Sequence, residues 1–131
     1  MENKTYFTAL GQLIYAVAMA DGAIQPEERE KIFHFVISQL VELERGIGNG
    51  KQAIEAFFLE KEFHRLKDEG VSMDAAYNMF VKFLEEHRNE FTHDHKQTCL
   101  EVMDKVAGAY NGIEESEQML IEKVRQRIES L

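Results

Sequence analysis

Acidic residues around a glycine turn are the first groups in this sequence with the chemistry of a metal site. Asp21 and Glu28 flank the turn at Gly22, and the segment matches the second half of an EF-hand calcium loop, including the glycine and the closing glutamate. The first half does not match, because Val17 and Met19 stand at ligand positions and cannot bind calcium. We therefore expect no EF-hand, and a weaker oxygen-ligand site for Ca²⁺ or Mg²⁺ stays open.

The weaker site would need acids from two parts of the chain. Asp21 and Glu28 would be joined by Glu117 or Glu114 if a second turn, near residues 110–112, meets the first in space. Glu28 and Glu117 also have a competing role, since each falls in the first turn of a predicted helix. A glutamate there can hydrogen-bond the free N–H at the helix start. The sequence thus predicts Asp21, Glu28 and Glu117 as candidate cation ligands, with helix capping as the alternative.

A histidine-rich segment offers a second kind of metal chemistry. His93-Asp94-His95, with His87 and Glu90 upstream, carries side chains suited to zinc or nickel. Residues two apart on a helix point to different sides, so His93 and His95 would share one metal only if this segment were a loop. If His87, His93 and His95 converge on an open site, the chain would be a metal-dependent enzyme or ligand-binding subunit. The alternative is a helix start with surface histidines.

Signatures of catalysis are missing from the rest of the sequence. The glycine cluster at residues 46–50 lacks the Lys-Ser/Thr that follows a phosphate-binding loop. Cys99 is the only cysteine, and it falls in an apolar helical stretch where a buried structural thiol is expected. We therefore expect no catalytic residues and no enzymatic activity.

The charge of the chain limits its partners. The 131 residues include 15 Lys and Arg against 24 Asp and Glu, for a formal net charge of −9. This balance disfavours nucleic acids and anionic membrane surfaces and suits cations or basic protein surfaces. The sequence also lacks a signal-peptide pattern and an apolar run of membrane-spanning length. We expect a cytoplasmic monomer or homodimer with protein partners, no nucleic acid and no membrane insertion.

Helices must position all of these groups, because apolar residues recur at three- and four-residue steps along most of the chain. The predicted helices span residues 5–20, a segment from Pro26, residues 51–67 with Phe57, Phe58 and Phe63 inward, a segment capped by Ser72, one capped by Thr92, and residues 115–129. Gly22 and Gly70 suit turns after helices. The sequence predicts one all-α domain over residues 1–131, a compact bundle of six to seven helices.

The two ends of the chain repeat one pattern. Without a gap, three residues of the first copy match three of the second: Ala18, Ile24 and Glu28 align with Ala107, Ile113 and Glu117. Gly22 aligns with Asn111, and asparagine is the non-glycine residue that best tolerates a left-handed backbone. We therefore predict an internal pseudo-repeat of two helix-turn-helix hairpins, each with a buried isoleucine at the turn.

The first copy, Ala18-Met19-Ala20-Asp21-Gly22-Ala23-Ile24-Gln25-Pro26-Glu27-Glu28, resembles the signature of TerB-like tellurite-resistance domains. That signature is an Ala-Asp-Gly-x-Ile turn with a glutamate four residues after the isoleucine. The second copy is similar, although Tyr110 stands where the signature has aspartate, which would weaken that half of a cation site. The resemblance implies a helical, non-enzymatic domain linked to tellurium-anion resistance and chemical stress. It also implies an interaction or cation-sensing module, with a divalent cation at the acidic turns.

Overall fold

The computed structural model describes residues 3–20, 31, 51–107 and 115–131. These residues form five α-helices and one 3₁₀ turn and contain no strand. The helices are α1 (Asn3–Ala20), α2 (Lys51–Asp68), α3 (Met73–Glu86), α4 (His93–Ala107) and α5 (Glu115–Glu129), with the 3₁₀ turn at Arg88–Glu90. The predicted all-α class is therefore confirmed.

Local sequence accounts for the ends of these helices. Ser72 caps α3, where its hydroxyl accepts a hydrogen bond from the Ala75 N–H at 3.1 Å. Gly70 follows α2 with φ of +65°, a left-handed conformation that glycine adopts without steric cost. The 3₁₀ turn separates α3 from α4, so the two segments are distinct helices and not one bent helix, a point that the sequence left open.

Helix α1 lies at the centre of the fold and packs against each of the other four described helices. The sequence predicted one apolar face, but α1 is buried around nearly its whole circumference from Tyr6 to Ala20. A helix that is apolar all round belongs in a core. Gly11 permits a close approach of α2, because a Cβ at this position would lie 2.7 Å from the Leu59 carbonyl oxygen.

The other helices each turn an apolar stripe toward α1 or toward a neighbouring helix. The fully buried side chains of these stripes include Leu59, Phe63, Leu66, Phe80, Leu84, Met103 and Ile128. The prediction that Phe57 faces the core is wrong, since this side chain is 56% exposed. Successive helix residues point about 100° apart, and Phe58 is the one of the pair that packs against the core.

Several predictions fall on residues outside the described ranges. These are the helix from Pro26, of which only Lys31 is described, and the turns that contain Gly22 and Asn111. Ile24 and Ile113 belong to the same undescribed segments. The number of six to seven helices and the pseudo-repeat therefore stay predictions.

Candidate functional site

The predicted cation ligands lie outside the part of the chain that the structure describes. Asp21, Glu28 and Glu114 belong to undescribed segments. Glu117 lies in α5, and its side chain is also outside the described residues. Whether the two acidic turns meet in space thus stays a prediction.

The histidine segment is described, and it begins a helix. His93 is the exposed first residue of α4. His95 is half-buried, with its ring centroid 4.7 Å from that of Tyr6 and 5.5 Å from that of Phe91. His87 lies in the connection before it and pairs with Glu90, with 2.5 Å between Nδ1 and Oε2. Within the described residues, no three His, Cys, Asp or Glu side chains are grouped to hold a metal ion.

His95 instead takes part in a helix cap. The Thr92 N–H donates to His95 Nδ1 at 3.1 Å, and the His95 N–H donates to the Thr92 hydroxyl at 3.2 Å. This reciprocal pair is a capping box in which imidazole replaces the usual Glu or Gln. Burial lowers the pKa of His95, and the neutral ring can accept a hydrogen bond at Nδ1. His95, which the sequence offered as a metal ligand together with His87 and His93, therefore has a structural role at the start of α4.

Cys99 is a buried structural thiol, as the sequence predicted. It is fully buried, and burial raises the pKa of the thiol to about 12. The Tyr6 hydroxyl lies 3.9 Å from Sγ and donates a hydrogen bond to the His95 carbonyl oxygen at 3.2 Å. Because the thiolate is the reactive form of cysteine, this protonated and enclosed thiol is not a nucleophile.

Sequence reasoning missed a charged network between α1 and α2. Glu62 is 7% exposed, and it is the only charged side chain buried in the described part of the chain. Its carboxylate accepts hydrogen bonds from Gln12 Nε2 at 2.9 Å and from Arg65 Nε at 2.5 Å. The hydrogen bond with Glu62 raises the pKa of Arg65. Arg65 Nη1 also contacts Glu69, at 3.0 Å.

A groove of about 500 Å³ opens beside this network, between α1, α2 and α3. Its polar wall includes Gln12 and Arg65, and its cations Lys4 and Lys82 come from α1 and α3. No local motif joins these residues, because three separate helices supply them. The sequence carried one usable signal: Glu62 stands in register with Leu59 and Leu66 on the apolar stripe of α2.

In the described ranges, no helix has both the length and the apolar character needed to cross a membrane.

Comparisons with known proteins place the chain in a family. No curated protein and no solved structure matches the chain significantly. The family model described as "Tellurite resistance protein TerB" matches residues 7–129, nearly the whole chain. The resemblance seen in the sequence is thereby confirmed, and the chain belongs to the TerB family.

Proposed function

We propose that this chain is a non-catalytic TerB domain that acts as an interaction or cation-sensing module in the response to tellurite and other chemical stress. The observation that carries the proposal is the family match over residues 7–129, since the description of that family is tellurite resistance. The match includes all five described helices almost completely. It also includes both acidic turns predicted from the sequence.

The surroundings of Cys99, His95 and His87 support a binding function for this chain and not an enzymatic one. The Cys99 thiol is enclosed and protonated at neutral pH, since burial raises its pKa to about 12. His95 holds the start of α4 through Thr92, and His87 is paired with Glu90. Cys99 and His95 thus have structural roles, which supports a binding module in place of an enzyme.

The charge of the chain supports a protein partner. A net charge of −9 at a length of 131 residues favours partners with a basic surface and speeds their association through electrostatic attraction. Nucleic acid does not fit this charge. A cytoplasmic location and a monomeric or homodimeric state complete the proposal.

Survival on tellurite tests the stress-response part of the proposal. Cells that lack this protein should grow less well on potassium tellurite, and the wild-type chain should restore growth. Cys99→Ala and His95→Gln should restore growth as well, because a binding module needs neither side chain for chemistry. Equal growth with and without the protein would contradict the proposed role, and loss of rescue in a well-folded Cys99→Ala variant would contradict the absence of catalysis.

A divalent cation at Asp21, Glu28 and Glu117 is the second part of the proposal, supported by the spacing of these acids in the sequence. Thermal unfolding with CaCl₂ or MgCl₂ tests it, because a ligand that binds only the folded state raises the melting temperature. We expect a modest increase that Asp21→Asn abolishes and the control Asp68→Asn preserves. No increase with either ion would leave only the protein-partner role.

A further inference from the structure

The groove between α1, α2 and α3 has no part in the proposed function. Its volume of about 500 Å³ lies within the range of small-molecule sites. It is bordered by the start and middle of α1, by Arg65 of α2 and by the last two turns of α3. Every residue that lines it belongs to the described part of the chain.

The charge of the groove is opposite to that of the whole chain. Lys4, Arg65 and Lys82 line it, against the single carboxylate of Glu86. Arg65 is neutralised by Glu62 and Glu69, and Lys82 lies 3.9 Å from Glu86. Among the described residues, Lys4 has no carboxylate partner and places its ammonium 5.3 Å from the centroid of the Phe58 ring. The cationic groups available for an anion are therefore the two lysines, of which Lys4 is the less neutralised.

Between these lysines the groove has an apolar wall. Ala9 and Phe83 are buried by their neighbours, and Met79 is partly buried beside them. Gln12 lines the same groove, and its amide oxygen is buried without a hydrogen-bond partner in the described part of the chain. One N–H of the Gln12 side-chain amide donates a hydrogen bond to the Glu62 carboxylate, and this bond fixes the orientation of the side chain.

We infer that this groove binds a small amphipathic anion, a molecule with one carboxylate or other oxyanion and a short apolar body. Its charge pairs with Lys4 and Lys82, and its apolar body packs on the accessible part of Met79, above the buried Ala9 and Phe83. A plain inorganic anion would leave the accessible part of Met79 in contact with water, and a neutral apolar molecule would gain nothing from the lysines. The combination of both surfaces in one groove selects a molecule that carries both properties.

A titration followed by ¹H–¹⁵N NMR tests this inference, with octanoate as the amphipathic anion. Inorganic phosphate and octan-1-ol serve as probes that keep only the charge or only the apolar chain. Octanoate should shift the backbone amides of Thr5 and Thr8 and the side-chain amide of Gln12 in a saturable way. Phosphate and octan-1-ol should each bind at least about tenfold more weakly, a difference of about 1.4 kcal/mol.

Charge variants separate specific binding from general attraction to a protein surface. The double variant Lys4→Gln, Lys82→Gln should weaken octanoate binding about tenfold, since it removes both charges that pair with the carboxylate. The control Lys61→Gln, Lys123→Gln removes the same charge from exposed sites outside the groove and should leave the affinity unchanged. Glu86→Gln should tighten binding, because it removes the one carboxylate of the groove.

Three results would overturn the inference: no saturable shift with octanoate, equally tight binding of phosphate, or equal losses in the two double variants. None of these results bears on tellurite survival, and a failure of the survival experiment would leave octanoate binding untouched. The two proposals therefore fail independently.

Discussion

Two polar side chains of other helices pack against α1, and they are accommodated in different ways. Glu62 of α2 reaches α1 through Gln12, and its charge is balanced by Arg65. His95 of α4 packs against Tyr6 of α1 and accepts a hydrogen bond from the Thr92 backbone. One site therefore holds a compensated charge, while the other holds a ring whose neutral form is required.

The difference shows where this fold is sensitive to packing and where it is sensitive to protons. A buried carboxylate is costly unless hydrogen bonds and an opposite charge compensate it, so the α1–α2 contact depends on close geometry. A partly buried imidazole avoids that cost by remaining neutral, so the α1–α4 contact depends on pH.

Gly11→Ala should be the most disruptive change at the α1–α2 contact. A Cβ at this position would lie 2.7 Å from the Leu59 carbonyl oxygen and 3.1 Å from Glu62 Cβ, so the two helices must separate. We expect a loss of about 2 to 3 kcal/mol in the free energy of unfolding, measured by urea denaturation. In an unconstrained helix the same substitution stabilises by about 0.5 to 1 kcal/mol. A stabilised variant would thus show that the helices do not touch here.

Glu62→Ala should have the next largest effect. It removes the acceptor for Gln12 and the buried partner of Arg65, which we expect to cost about 2 kcal/mol. Glu69→Ala is the matched control, because Glu69 pairs with the same arginine from a side chain that is 57% exposed. Its loss should stay below about 1 kcal/mol. Equal losses in the two variants would mean that burial does not distinguish these carboxylates.

The sequence predicted most of the described helices because their signals are local. Ser72 and Thr92 cap helices in the structure, and Gly70 takes the left-handed conformation, as their residue types indicate. The apolar stripe of α5 and the buried thiol of Cys99 also follow directly from spacing. In each case the feature is set by residues within one or two turns of each other.

The candidate groove was not predictable in the same way. Lys4, Arg65 and Lys82 come from three helices, and only the tertiary packing of α1 against α2 and α3 brings them together. Periodicity also did not predict that α1 is buried all round, because the alanines that complete its buried surface occur equally often on exposed helix faces. Phe57 was misplaced for a related reason: periodicity allowed both adjacent phenylalanines on the core face, but only Phe58 packs against the core.

The Thr92 cap of α4, which includes His95, can be compared with the simpler Ser72 cap of α3. Thr92→Ala removes a hydroxyl that accepts from the His95 N–H, and we expect a loss of about 1 kcal/mol. Ser72→Ala removes the equivalent bond to the Ala75 N–H at the start of α3. The Thr92 hydroxyl also lies 3.1 Å from His95 Nδ1, a contact that Thr92→Ala removes as well, so its loss should be the larger of the two in urea denaturation at neutral pH. A larger loss for Ser72→Ala would mean that the contact between the Thr92 hydroxyl and the imidazole adds nothing.

The smallest expected effect is a change in pH dependence at His95. Burial lowers the pKa of His95 below its ordinary value of 6.5, so the unfolded chain binds a proton more readily than the folded one. Folding stability contributed by this group is complete above about pH 6.5 and is lost as the pH falls through the lowered pKa of the folded state. His95→Gln should flatten the dependence of the unfolding free energy on pH in this interval. Glutamine can still complete the capping box but does not titrate.

His93→Gln separates this effect from a general loss of histidine charge. His93 is exposed at the first position of α4, so its removal should leave the pH dependence unchanged. Glu90 does not interfere, because its hydrogen bond with His87 lowers the pKa of Glu90 below 4.5, outside the interval that His95 controls. If both glutamine variants flatten the profile equally, the neutral ring of His95 is not what couples the α1–α4 contact to pH. If only His95→Gln does so, the proton-sensitive contact of α1 is the one beside Tyr6, and not the one at the compensated charge of Glu62.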